Sequence, residues 1–454
     1  MTKNLKYSIV LFSFPFIFNF LRNFSSNNHI NFQSLFLSLF CFLFLYLLGL
    51  EINKVFRLNS ISLSIVFYLI GMYIFNFLVL PFDKFLLSFG EIFLIYNILF
   101  AIYLLFKAKN NYKILIIFGL LIFLRIIFNL VDLNGFNYIE YNTDVVEFWK
   151  PMTEKIYNND LFVSINENLI KGYPLMINYT FAQLHYLFIG SSLFAFSLIV
   201  PNLFFFLNIL LIHETIKEPF LKTNILLIFA SIVLNSDWLS YLFFNSLMGE
   251  VIVNYFFSVF LANAFFNKDI YKNKVYFFCL GFLYFLKPFV SILFLIISFY
   301  FFIKYKKTYY IFLSIIGITL NSIYNFFIFA KQGNELGVIS DNVYFKILLE
   351  NSEKFFNFET ENIKLIIFNE IAIDKVLILF LFFYILISIV NIYQNKTLNI
   401  MNSLFLINLL LVFYLYTTVW KDIELGSAYR YIFSFLTILF VDLGNSYINV
   451  FKKS

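Results

Sequence analysis

Asp144 and Glu147 stand three residues apart in the stretch EYNTDVVEFWKPMTEKIYNND, so on a helix the two carboxylates share one face. A carboxylate held at the edge of a bilayer can take the proton of an acceptor hydroxyl or amine, or can hold a divalent cation. A solvated acidic loop is the plainer account of the same residues. Glu250 opens GEVIVNYFFSVFLANAFF, a stretch with no other charge. An ionisable group near membrane depth usually faces a cavity, although a carboxylate at a helix N-terminus is also favoured by the helix dipole. Lys287, followed by Pro288, interrupts the apolar run FLYFLKPFVSILFLI. It either snorkels to the interface or meets a phosphate. Arg430 opens AYRYIFSF and is scarce of its kind, with only Arg22, Arg57 and Arg125 beside it. Its planar fork suits phosphate oxygens. Taken together, two cations that hold a phosphate and a carboxylate that activates an acceptor describe group transfer from a lipid-linked phosphate donor. Asp144 with Glu250 is the pair suited to a Mg2+ or Mn2+ ion.

The elements that must position these groups are set by composition. The chain is 61% hydrophobic and 13% charged over 454 residues, with 70 Phe, where a soluble domain carries about 25% charged residues. Its mean hydropathy is +0.85. Apolar runs near 8–22, 33–50, 60–80, 87–106, 114–131, 193–212, 224–241, 248–266, 275–287, 288–303, 309–330, 376–394, 400–418 and 429–447 predict an all-α bundle of about 12–14 spans. The first run lacks a small-residue cleavage site and reads as a retained span. Arg125, inside the fifth run, is expected to pair with Asp132 or to snorkel.

Charge fixes the orientation. Starting from Lys3 and Lys6 inside, every later basic cluster falls on the same side. These are Lys54 and Arg57; Lys107, Lys109 and Lys113; Lys217 and Lys222; Lys268, Lys272 and Lys274; Lys304, Lys306 and Lys307; Lys396; and Lys452 and Lys453. Both termini are then cytoplasmic and the polar stretches 132–192 and 331–375 external. The pattern requires that 174–189 lie along the surface as an amphipathic helix and not cross.

Other classes find no support. There is no Walker A or GxGxxG sequence for a nucleotide. Cys41 and Cys279 sit in apolar runs, and His29, His185 and His213 are scattered, so neither a disulfide framework nor a histidine metal cluster is expected. A net charge of +6 is no argument for nucleic acid in a chain of this kind.

The order of motifs resembles the C-type (GT-C) integral-membrane glycosyltransferase superfamily, which includes protein O-mannosyltransferases and the aminoarabinose transferases of lipid A. TDVVEFW matches its early external acidic positions through Asp144 and Glu147. GYPLMINYTFAQLHYLFIG matches its Pro-containing segment through Tyr173 and Pro174, with Tyr173 where the family often has a first proline. Glu250, Lys287-Pro288 and Arg430-Tyr431 follow in the family's order. The resemblance implies that 113–454 is the catalytic region and 1–112 a set of additional N-terminal helices. It also implies inverting transfer of a sugar from a polyprenyl-phosphate donor to an envelope lipid, polysaccharide or protein acceptor, at the outer face of the cell (inner) membrane. Lys287 and Arg430 would bind the donor phosphate. Glu250, Tyr173 and Pro174 would shape the substrate site. An O-antigen polymerase or ligase is the alternative enzyme, but such enzymes lean on external arginines and only Arg430 qualifies. A flippase or transporter would place its polar site mid-membrane, often in two related halves.

Overall fold

The computed structural model describes residues 32–83, 89–107, 111–130, 149–158, 176–188, 198–244, 246, 249–283, 286, 288–330, 375–395, 404–406, 410 and 435–452. Regular structure among them is helical throughout, as expected. In chain order the helices are α1 (Phe32–Phe56), α2 (Ile61–Asp83), α3 (Phe89–Lys107), α4 (Asn111–Leu130) and α5 (Lys150–Tyr157). There follow α6 (Met176–Phe188), α7 (Ile199–Thr215), α8 (Pro219–Asn235), α9 (Asp237–Phe244) and α10 (Glu250–Phe266). After the 3-10 turn Ile270–Lys272 come α11 (Lys274–Phe282), α12 (Pro288–Tyr305), α13 (Tyr309–Ala330), α14 (Lys375–Asn395) and α15 (Leu436–Lys452).

Two described helices, Phe32–Phe56 and Gly90–Lys107, are long and apolar enough to cross a membrane, and a third if the bent pair α8–α9 counts as one span. Further apolar helical stretches among the described residues are Ile61–Phe75, Ile199–Thr215, Glu250–Phe266, Leu295–Tyr305, Tyr309–Leu320, Leu379–Tyr393 and Leu436–Ser446. The run expected as one span at 224–241 is instead broken: α8 and α9 meet at 94°. Local polar chemistry makes the break. Asn235 turns its amide back to the Ser231 carbonyl (2.7 Å), and Ser236, in extended conformation, caps α9 by accepting from the Leu239 N–H (3.0 Å).

The chain forms two compact units, one built on Asn31–Leu207 and Asn245–Asp341, the other on Met1–Ile30, Asn208–Phe244 and Asn342–Ser454. In the first, the larger, α1 and α2 are joined by a tight turn in which Arg57 and Asn59 adopt φ of 53° and 59°. Ser60 closes it by accepting from the Leu63 N–H at 3.1 Å. A buried Tyr68 hydroxyl on α2 then donates to the Asn97 side chain of α3 at 2.5 Å. α11 and α13 cross at backbone contact through Gly281 and Gly317. The Ser314 hydroxyl beside them lies 3.1 Å from the Phe277 carbonyl and 2.8 Å from the Ser298 hydroxyl. Small residues at such a crossing let helices approach without a hydrophobic driving force.

α6 corrects an expectation. It is not a surface helix: 12 of its 13 residues are buried. Six other helices or their first turns touch it. Phe188 meets Phe44 of α1 (5.8 Å) and Tyr179 meets Tyr73 of α2 (5.5 Å). Tyr186 meets Phe93 of α3 (5.0 Å), and its carbonyl accepts from Arg125 of α4 (2.8 Å). Asn178 reaches Thr153 of α5 (3.4 Å), and Ile177 lies against Gly249 at the head of α10. The physical reason is visible in MINYTFAQLHYLF, which offers a headgroup layer no lysine or arginine face. Arg125 is correspondingly turned inward over the Tyr186 ring (5.2 Å), while Asp132 lies outside the described residues.

In the smaller unit α14 and α15 pair through Phe380 stacked on Phe440 (4.1 Å between centroids) and a buried hydrogen bond from the Tyr384 hydroxyl to Asp442 (2.8 Å). Asn391 adds a bond to Ser446 at 3.3 Å.

Candidate functional site

The described residues gather polar groups around the first turn of α10. Gly249 caps the helix with its carbonyl, which accepts from the N–H groups of Ile252 and Val253, both at 3.1 Å. Glu250 follows as the first helical residue, 1% exposed. Four otherwise orphaned backbone N–H groups and the positive end of the helix dipole favour a carboxylate there.

Gly249 is required by what packs on it. A β-carbon at this position would lie 2.6 Å from Ile177 Cγ2 of α6 and 3.0 Å from the Trp149 ring. Trp149 is itself 4% exposed and fixed by its backbone. Its carbonyl accepts from the Thr153 hydroxyl at 2.7 Å and from the Asn178 amide at 3.2 Å. Three chain segments therefore meet here: the entry to α5, the start of α6 and the head of α10. Trp149 follows Glu147 by two residues in the sequence and Asp144 by five.

A buried polar row leads away from Glu250 along α10. Asn254 and Ser258, each fully buried, continue the four-residue spacing on the same face. The next helix over adds Tyr255–Phe204 ring contact with α7 (5.7 Å). α6 carries its own buried polar groups, Gln183 and His185, and neither finds a side-chain hydrogen bond among the described residues. The His185 ring stacks near Phe181 (6.5 Å). Burial lowers its pKa from 6.5 to about 3, so the imidazole is neutral at physiological pH.

Of the residues proposed from the sequence, Glu250 is the one described, and it is 1% exposed. Asp144, Glu147, Tyr173, Pro174, Lys287 and Arg430 lie outside the described residues. Among the described residues no three His, Cys, Asp or Glu side chains gather as a metal site.

Several groups escaped the sequence reading. Asn254 and Ser258 were legible as a period of four from Glu250 in an apolar run. Gln183 and His185 lie in the segment expected along the surface, where nothing in the sequence marks them as buried. Asp442, 1% exposed within an apolar helix, was a plain signal: an ionisable residue in such a segment points inward by default.

Compared with known proteins, the chain matches no family model, no curated protein and no solved structure.

Proposed function

We propose that the chain is a multi-span helical protein of the cell (inner) membrane that transfers a sugar from a polyprenyl-phosphate donor to an envelope acceptor on the outer face. The observation that carries this reading is the contact of Trp149 with Gly249. It joins the segment that follows Asp144 and Glu147 to the segment that begins with Glu250. A second feature supports the placement: Glu250 and the basic turn at Lys268 flank α10 at its two ends.

In the proposed reaction Asp144, or Glu147 in its stead, accepts the proton of the acceptor hydroxyl. The acceptor oxygen bonds to the sugar's anomeric carbon from the face opposite the donor phosphate. The bond from that carbon to the phosphate oxygen breaks, and polyprenyl phosphate leaves with the electron pair. Lys287 holds the departing phosphate through charge-assisted hydrogen bonds, a role that the resemblance also gives Arg430. Tyr173 and Pro174, which precede α6 in the sequence, contribute to the substrate site on this reading. A Mg2+ or Mn2+ ion between Asp144 and Glu250 would neutralise the same phosphate, and the carboxylate oxygens suit such hard cations.

The test is transfer by purified protein in lipid nanodiscs, read by mass spectrometry as glycosylated acceptor plus free polyprenyl phosphate. Asp144→Asn is expected to remove the product while the protein still inserts and melts as the parent does. Envelope glycans unchanged in cells lacking the protein, together with substrate exchange by sealed vesicles without covalent product, would discard the transferase in favour of a carrier.

A further inference from the structure

Three basic turns of the larger unit meet at the end of α10 remote from Glu250. The α1–α2 turn is tied to it by Asn267, whose amide donates to the Leu58 carbonyl (3.4 Å), and by Asn263, which donates to the Ser60 hydroxyl (3.5 Å). The turn after α10 is tied to the α12–α13 turn by the Tyr309 hydroxyl, which donates to the Tyr271 carbonyl at 2.7 Å. Tyr271 also stacks on Tyr305, 4.5 Å between centroids and 12° between planes.

Exposed cations crowd these turns: Arg57 on the first, Lys268, Lys272 and Lys274 on the second, Lys304 and Lys306 on the third. The acids nearby are already engaged by lysines of their own turns, Glu51 by Lys54 (2.5 Å) and Asp269 by Lys272 (2.7 Å). The lysines are mounted on tyrosine rings. Lys304 donates to the Tyr300 hydroxyl at 3.0 Å and lies 5.5 Å from the Tyr305 centroid. Lys272 and Lys274 lie 5.3 Å and 5.9 Å from the centroids of Tyr271 and Tyr309. A ring under an ammonium holds it in place yet leaves N–H donors facing outward.

We propose that this end of the larger unit is a docking surface for anionic phospholipid head groups. Both halves of such a lipid are matched. The ammonium groups meet its phosphate, and the strongly exposed apolar residues Phe299, Ile303 and Phe312 stand on the adjoining helices α12 and α13 for its acyl chains. Tyrosine and lysine side by side at the boundary of apolar helices are what a headgroup layer selects. The inference rests on the membrane reading above and is independent of sugar transfer.

The experiment titrates full-length protein in neutral detergent with phosphatidylglycerol or phosphatidylcholine and follows the melting temperature. Phosphatidylglycerol is expected to raise it and phosphatidylcholine to leave it lower, with the difference erased in about 0.5 M salt, where the Debye length falls to about 4 Å. Combining Lys272→Gln, Lys274→Gln and Lys304→Gln should weaken the phosphatidylglycerol response roughly fivefold for each lysine removed. Lys217→Gln with Lys222→Gln, in the other unit, should leave it unchanged. Equal stabilisation by both lipids, an effect that survives salt, or the same shift from inorganic phosphate alone would overturn the proposal. Should the triple variant fail to fold, the salt and lipid comparisons on the parent decide. A protein that transfers sugar without preferring anionic lipid would sink this inference and leave the transferase standing.

Discussion

Gly281 lies directly on the backbone of Ser314, so close that a β-carbon there would overlap the Ser314 carbonyl oxygen. The contact is reciprocal: a β-carbon on Gly317 would fall 2.7 Å from the Phe278 carbonyl oxygen. Backbone cannot give way as a flexible side chain can, so Gly281→Ala must push α11 and α13 apart. The expected cost is about 1–3 kcal/mol or more, read as a lowered melting temperature in detergent. Gly119 on α4 provides the contrast, since a β-carbon there meets nothing within 4 Å. Gly119→Ala should hold or raise stability by about 0.5–1 kcal/mol through helix propensity alone. Equal effects at the two glycines would refute the close crossing.

Buried His185 sets a pH dependence. α6 has 13 residues, about 20 Å of helix, and is too short to cross a bilayer. Its imidazole is lowered from 6.5 to about 3 by burial. Between those values the unfolded chain binds a proton that the folded one does not. The stabilising contribution is therefore complete above about pH 6.5 and is lost as pH falls, at roughly 1.4 kcal/mol per unit. Melting curves at pH 7.5 and pH 5 should diverge for the parent by more than for His185→Leu. A parent that is equally stable at both would place the imidazole in contact with water.

Tyr384 and Asp442 form a clamp between α14 and α15 at 2.8 Å. Tyr384→Phe keeps the ring and removes the hydroxyl that donates to the 1% exposed Asp442. A loss of about 1–3 kcal/mol is expected. Replacing both, as Tyr384→Phe with Asp442→Leu, should recover much of it, because the double change removes both ends of the bond together. A double variant as weak as the sum of the singles would show that the two residues act separately.

The Trp149–Gly249 contact predicts a split between folding and turnover. Trp149→Phe retains an aromatic ring on Gly249 and should keep most transfer. Trp149→Ala opens a space at a residue that is 4% exposed and frees the entry to α5. It should cut transfer at least tenfold, since small displacements of reacting groups have large effects on rate. Near-parental kcat for Trp149→Ala would detach this contact from catalysis.

How the sequence relates to these features differs by scale. Apolar runs located the helices because each needs an unbroken stretch of lipid-compatible side chains. The basic turns of the larger unit were legible as lysine-rich stretches between apolar runs. Glu250 was legible for the same reason, as a lone charge at a helix start. The position of α6 was not: its surface assignment came from counting crossings, and a count has no place for a short helix enclosed by its neighbours. The bend at Asn235–Ser236 was hidden because two serines and one asparagine in an apolar run act through local hydrogen bonds that hydropathy averages away. Asp442 was visible but sat beyond the last motif that drew attention.

The enclosure of α6 governs the order in which the protein can be made. Helices that surround it come from both sides of it in the chain: Phe44, Tyr73 and Arg125 emerge from the ribosome before it, Gly249 well after. Until residue 249 has been synthesised, Ile177 and its neighbours lack one wall, and Gln183 and His185 wait in an unfinished interior. Chains halted before that point should be recognised by quality-control proteases, whereas chains halted just beyond α10 should persist.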